Sequence, residues 1–217
     1  MNQERLEVFL ELYRKEPPVY IQELERQAQA DGVPIIRRGT RDVLRYLLRT
    51  RRPKRVLEVG TAVGYSALFM KECLPAETCI TTVEKVEMRL REARKNLKKY
   101  DTEGRIRLVE GEAAAVLAQM AASGSQYGFI FLDAAKGQYP SMLPDILSLL
   151  EPGGILVSDN IFHGGDVLES RYAVTRRDRT IHTRMREYLS MLSDCPELES
   201  ICLPVGDGMT ISTKRDH

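Results

Sequence analysis

Residues 57–66 read LEVGTAVGYS, and the segment turns on its two glycines, Gly60 and Gly64. An apolar run, a glycine, three residues and a second glycine is the pattern of a buried strand passing through a tight turn into a helix. Such a turn commonly receives a phosphate at the helix N-terminus. Here Glu58 stands just ahead of the first glycine, and a carboxylate at that point repels phosphate. The ligand expected at this turn has cationic groups where a dinucleotide has phosphates.

Working outward, the chain from residue 54 alternates short apolar runs with amphipathic stretches: RVLEVG then YSALFMKECL, CITTVE then EMRLREARKNLKKY, RIRLVEG then AAAVLAQMA, YGFIFLDA then YPSMLPDILSLL, and GILVSDN. Runs such as FIFLDA are apolar at nearly every position, which suits strands covered on both faces, and helical crossovers imply a parallel sheet. Near the end, LESICLPV and MTISTKR flank GDG, a turn signature that joins two strands into a hairpin. The expected fold is α/β: a Rossmann-like, doubly wound, mostly parallel seven-stranded sheet with a C-terminal antiparallel hairpin. The first 50 residues read as extra N-terminal helices. ERLEVFLELYRK has helical apolar spacing, Pro17 and Pro18 stop it, and IQELERQAQ resumes.

With 217 residues and 43% hydrophobic content, the expectation is one domain over 1–217, helices in 1–50 and α/β core in 54–217. Thirty-two Lys and Arg against 31 Asp and Glu leave a net charge of +1, so bulk charge selects no partner class. Cys73, Cys79, Cys195 and Cys202 form no CxxC pair, and their spacing suits neither a zinc site nor a disulfide framework. A reducing, cytoplasmic home is expected. Charges interrupt the N-terminal apolar positions and no run approaches about 18 apolar residues, so no signal peptide or membrane span is expected.

In open α/β sheets ligands lie outside the carboxyl ends of the strands. The apolar runs end at Glu58-Val59-Gly60, Glu84, Gly111-Glu112, Asp133 and Asp159-Asn160, so every one of the five ends acidic. Glu84 lies 24 residues after Gly60, near the offset at which an acid accepts both hydroxyls of a ribose. There is neither GxGxxG nor a P-loop Lys-Ser/Thr pair. A nucleoside with cationic groups is therefore implied, and S-adenosylmethionine, with its sulfonium and α-ammonium, meets that description.

VLEVGTAVGYSA, TVEK, FLDAAKGQY, GGILVSDN and PVGDGMTIS together resemble the class I S-adenosylmethionine-dependent O-methyltransferases of the metal-dependent catechol/caffeoyl-CoA type, from about residue 33 to the C-terminus. Within that family, VPII, GTAVGYSA, DAAKGQY and PVGDG are most similar to bacterial tRNA 5-hydroxyuridine methyltransferases, which make 5-methoxyuridine at the wobble position. The resemblance implies that Ile36 sets backbone against the methionine carboxylate and that Glu58, Gly60 and Ser66 hold the methionine part. It assigns Glu84 to the ribose, and Gly111, Glu112 and Asp133 to the remaining cofactor wall, with Glu112 on the adenine side. The chain has GEA where the family usually shows GDA.

Asp133, Asp159 and Asn160 are two carboxylates and an amide at neighbouring strand ends. As hard oxygen donors they suit Mg²⁺ or a similar divalent cation, although Asp159-Asn160 also reads as a cap for the following segment. Methyl transfer is an in-line displacement, and a cation that orients and acidifies the acceptor hydroxyl serves it. Lys136 is the candidate base, with charge balance as its alternative role. His163, in NIFHGGDV, sits on a candidate lid, and Tyr139 is read either as stacking on a substrate base or as core.

Arg37–Arg55 contains nine Lys and Arg against one acid, Asp42. Arg41, Arg45 and Arg49 recur every four residues, as a stripe tracking phosphates of the tRNA anticodon region would. Arg176 and Arg177, with Arg179, Arg184 and Arg186, make a second cluster; solvated helix faces are the bland alternative. The leading expectation is a Mg²⁺-dependent tRNA methyltransferase acting as a homodimer. A small catechol-like or phenolic acceptor is the alternative within that chemistry, and a non-catalytic S-adenosylmethionine-binding or RNA-binding regulator the alternative outside it.

Overall fold

The computed structural model describes residues 3–170 and 172–216. Three helices come first: α1 (Gln3–Glu11), α2 (Val19–Ala30) and α3 (Arg38–Arg51). Strands and helices then alternate: β1 (Arg55–Val59), α4 (Tyr65–Cys73), β2 (Cys79–Glu84), α5 (Glu87–Tyr100), β3 (Ile106–Glu110), α6 (Ala113–Ala122), β4 (Tyr127–Leu132), α7 (Tyr139–Leu149) and β5 (Leu150–Asp159). After a 3₁₀ turn at His163–Leu168 come α8 (Arg179–Asp194) and the hairpin β6 (Leu198–Leu203) and β7 (Met209–Lys214).

The sheet order is β3-β2-β1-β4-β5-β7-β6. The first five pair in parallel, while β7 runs antiparallel to both β5 and β6. Chain direction across the sheet reverses between β1 and β4, and at such a switch point the two following loops part and leave a crevice. Period-two alternation divides the core. Val56, Phe129, Phe131, Ile155 and Val157 pack with α2 to α5, whereas Leu57, Val59, Ile130, Leu132 and Leu156 pack with α6 to α8. Ile21, Leu24, Leu44 and Leu48 belong to the first of these clusters, so the N-terminal helices share the core of the sheet.

What locks those helices down is charge as well as oil. Arg41, 1% exposed, donates from Nη1 to Oε2 of buried Glu25 at 2.9 Å and to the Tyr65 hydroxyl at 3.2 Å. Arg38 reaches the other Glu25 oxygen at 3.1 Å. The Arg41 and Arg45 guanidinium carbons lie 5.9 and 5.5 Å from the Phe69 ring centre.

This overturns the phosphate-tracking stripe on α3. At about 100° per residue, Leu48 falls about 20° from Arg41 around the helix, while Arg49 falls about 80° away. Arg41 therefore shares the inward face of Leu44 and Leu48, and only Arg49 of the three is exposed. The basic C-terminal end of α3 also lies far from the crevice: Arg51 donates to the carbonyl of Gly153, in the early part of β5, at 3.2 Å. Removing Arg41 strands a buried carboxylate. Arg41→Ala is expected to lose about 3 kcal/mol of stability in urea unfolding, and a loss below about 1 kcal/mol would mean that Glu25 does not depend on it.

Candidate active site

The carboxyl ends of β1 to β5 surround a cavity of about 1090 Å³ that is capped from the side by the segment Val33–Arg38. Gly60 and Asp133, the residues after β1 and β4, meet at its floor. Asp133 donates its backbone N–H to the Val59 carbonyl at 2.9 Å. Gly60 has φ +106°, and a Cβ there would lie 2.0 Å from the Asp133 carbonyl oxygen. Only glycine lets the two turns close to this distance.

Glu58 is wholly buried. The Thr82 hydroxyl, itself 2.6 Å from that of Thr61, donates to its Oε2, while Oε1 is left without a partner in hydrogen-bond geometry. Burial pushes the carboxyl up to about 7; the Ser66 and Thr82 hydroxyls work against the rise, and Asp133 and Glu84 add to it. A buried carboxylate with an orphan oxygen is a receptor for a cationic donor. Such a group fits the α-ammonium of S-adenosylmethionine; Glu58 itself lies behind the cavity wall, which Ser66 and Ile36 line.

Glu84 also lines the cavity, where its carboxylate organises backbone. It accepts from Lys85 N at 2.9 Å, Val86 N at 3.0 Å and Ala62 N at 2.9 Å, which ties the turn after β1 to the turn after β2. An ionised carboxylate has about four acceptor positions, so capacity toward ribose hydroxyls remains. Gly111, bonded through its N–H to the Glu84 carbonyl at 2.9 Å, forms the adjoining wall. Glu112, read as a contact on the adenine side, lines the cavity beside Gly111. It lies at the exposed rim with both oxygens engaged, by Lys85 at 2.7 Å and Gln138 at 2.9 Å. The Lys85 hydrogen bond, then the one from Gln138, holds its carboxyl below the usual range.

The opposite end of the cavity holds Asp133, Lys136 and Asn160. Oδ1 of Asp133 accepts from Lys136 Nζ at 3.0 Å and from Asn160 Nδ2 at 2.9 Å. Asn160 adopts a left-handed conformation, φ 58°, which asparagine tolerates. Asp159 lies directly behind, 1% exposed, and is not part of the cavity wall. Its Oδ1 accepts from Asn160 N at 2.9 Å and from Thr40 Oγ1 at 3.3 Å. Burial first, and Asp133 second, raise its carboxyl to about 7.

Among the described residues no group of three His, Cys, Asp or Glu is placed to hold a metal, so a cation here needs the Asn160 amide as well as the two acids. Two neighbouring carboxylates with one lysine and an amide oxygen match a hard divalent cation, and the donor set fits.

Tyr139 is core. Fully buried, its hydroxyl donates to the Leu132 carbonyl at 3.1 Å, with the Asp159 carbonyl at 3.3 Å, so it does not stack on a substrate. The side chain of His163 lies outside the described residues; the next residue, Gly164, lines the cavity. Arg176 and Arg177 are exposed ahead of α8, whereas Arg179 and Arg186 are spent on the carbonyls of Val174 and Val167. Thr40, Thr61 and Thr82 were missed by the sequence reading. Thr82 pairs with Glu58 only through strand register, and no linear motif carries that.

A doubly wound sheet whose strand ends form a nucleoside-sized, acid-lined cavity defines a class I methyltransferase fold and site. The profile of the O-methyltransferase family matches residues 14–215, and the chain belongs to that family as an S-adenosylmethionine-dependent O-methyltransferase of the caffeoyl-CoA/catechol type. It is 30% identical over 171 residues to a caffeoyl-CoA O-methyltransferase of Populus kitakamiensis, covering 77% of this chain and 73% of that one. It is 31% identical over 127 residues to a catechol O-methyltransferase of Niastella koreensis, covering 58% of each. The S-adenosylhomocysteine-bound structure of the Podospora anserina methyltransferase PaMTH1 superposes with a TM-score of 0.86 at 26% identity, covering 100% of this chain and 97% of that one.

The Gly60–Asp133 contact makes a sharp prediction. In Gly60→Ala the added methyl must displace the Asp133 carbonyl, at a strain of about 1–3 kcal/mol. S-adenosylhomocysteine affinity, measured by calorimetry, is expected to fall about tenfold or more. Unchanged affinity would remove this turn from the cofactor site.

Proposed function

We propose that this chain transfers the methyl group of S-adenosylmethionine to the hydroxyl of 5-hydroxyuridine in the anticodon region of tRNA, with a divalent cation held by Asp133, Asp159 and Asn160. The observation that carries the reading is the acidic pair at the acceptor end: buried Asp159 beside Asp133, with one lysine to offset them. A divalent cation supplies Lewis-acid polarisation that acidifies a hydroxyl and fixes its orientation. The remaining work falls to the chain. Glu58 holds the α-ammonium, Glu84 the ribose, and the glycine turn sets the sulfonium end toward Asp133 and Asn160. In the displacement an O–CH₃ bond forms as the S–CH₃ bond breaks, and the hydroxyl proton leaves. That proton passes to water; Lys136, bonded to Asp133 as an ammonium, offsets the oxyanion charge, and would take the proton itself only as the neutral amine.

Support for tRNA comes from VPII, GTAVGYSA, DAAKGQY and PVGDG, joined by the cations at the cavity. Arg37, Arg38, Lys85 and Arg89 line it, and Arg176 and Arg177 are exposed on the segment that follows Gly164. The activities named for the Populus and Niastella relatives favour a second reading, in which a small phenolic or catechol hydroxyl is the acceptor. Family membership and the acceptor-end acids weigh against a regulator without turnover.

Two assays separate the readings. Incubation with 5-hydroxyuridine tRNA and Mg²⁺, followed by nucleoside mass spectrometry, is expected to yield 5-methoxyuridine, and chelation to abolish it. Catechol methylation with no reaction on tRNA would install the second reading. Asp159→Ala is expected to cut transfer by about 100-fold or more while S-adenosylhomocysteine still binds; full activity of the chelated, metal-free protein would remove the cation from the mechanism.

A further inference from the structure

Thr40 is wholly buried on α3, and its hydroxyl donates across 119 positions of sequence to Oδ1 of Asp159 at 3.3 Å. Thr40 lies in the first turn of α3, where the carbonyl four residues earlier is that of Ile36, outside the helix. Its hydroxyl points away from its own helix to a carboxylate on the strand end. The space it occupies is shaped for it. Gly206, in the turn between β6 and β7, has φ +60°, and a Cβ there would come 2.7 Å from Thr40 Oγ1. The PVGDG turn thus closes over the hydroxyl, and neither glycine freedom nor hydroxyl is spare.

The two acids at the acceptor end divide their oxygens in the same way. Oδ1 of Asp133 takes two donors, Lys136 Nζ and Asn160 Nδ2. Oδ1 of Asp159 also takes two, Asn160 N and Thr40 Oγ1. Among the described residues neither Oδ2 has a hydrogen-bond partner. Each carboxylate is held by one oxygen and free at the other, and Asn160, which spends its amide N–H on Asp133, keeps its amide oxygen. Carboxylates that bind a cation need this second layer of donors, because an unheld carboxylate rotates and loses part of its affinity to ordering.

We propose that Thr40 is a positioning residue for the acceptor site: its hydroxyl fixes Oδ1 of Asp159 and leaves Oδ2 as the oxygen that takes a divalent cation. The inference rests on the proposed role of Asp159 in holding that cation. It also gives the N-terminal helices a share in the chemistry, since Thr40 is two residues from Arg38, which lines the cavity.

The test is Mn²⁺ binding, followed by electron paramagnetic resonance, in the full chain and in Thr40→Val and Thr40→Ser. Valine keeps the shape and deletes the donor; serine keeps the donor. Thr40→Val is expected to weaken Mn²⁺ binding about 10–100-fold, with Thr40→Ser within about threefold of the parent. S-adenosylhomocysteine affinity is expected to stay the same in both. If the parent binds Mn²⁺ and Thr40→Val binds it equally well, the Thr40 assignment is wrong, and a lowered melting temperature alone would mark the residue as packing. If the parent binds no Mn²⁺, the cation reading beneath it falls and takes this inference with it.

Discussion

A buried carboxylate with no cation beside it is the constraint around which this molecule is arranged. Glu58 is sealed between the sheet and α4, its charge opposed by desolvation and by Asp133 and Glu84. The Ser66 and Thr82 hydroxyls offset only part of that cost. Behind the other end of the cavity Asp159, raised by burial and by Asp133, is likewise only partly offset, by Asn160, Lys136 and Thr40. Parallel strands all present their carboxyl ends on one side, so a sequence that ends five successive strands with acids concentrates negative charge in one crevice. Cationic ligands entering it relieve that charge, and both S-adenosylmethionine, with its ammonium and sulfonium, and the divalent cation proposed above are of that kind.

The N-terminal helices belong to the same arrangement. Their buried ion pair, Glu25 with Arg41, is buttressed by Tyr65 of α4, and α4 is the helix that starts at the glycine turn. The pair thus anchors α2 and α3 against the element that forms the cofactor floor. From that anchor the segment Val33–Arg38 caps the cavity, and Thr40 reaches Asp159. Cofactor end and acceptor end are joined through one short stretch of chain at the start of α3.

Much of this was readable from the sequence because its signals are local. Apolar runs, crossovers and the GDG turn led to the sheet, its direction and its hairpin, and each strand end named its own acid. What was unreadable depends on which faces meet. The four-residue spacing of Arg41, Arg45 and Arg49 is compatible with a solvated stripe, yet Leu44 and Leu48 flank Arg41 closely enough to carry it inward to Glu25. Glu112 reads as a cavity residue by position and lines the cavity, but its ties to Lys85 and Gln138 carry no linear signal. Tyr139 reads equally as stacking or core until the carbonyls of Leu132 and Asp159 are seen beneath it. Thr40 and Thr82 act through long-range register, for which single-sequence patterns hold no signal.

Glu58 is argued to be a charge receptor, its carboxyl raised by burial and brought back down by the cofactor's ammonium. Carbon-13 NMR titration of the glutamate side-chain carboxyls, in the free chain and with saturating S-adenosylhomocysteine, tests it most directly. The expected result is a Glu58 midpoint near 7 in the free chain. On binding it should fall by about 1–3 units, as for a carboxylate that gains an adjacent cation. A Glu58 that titrates in the ordinary carboxylate range without ligand, or whose midpoint does not move when S-adenosylhomocysteine binds, would contradict the account.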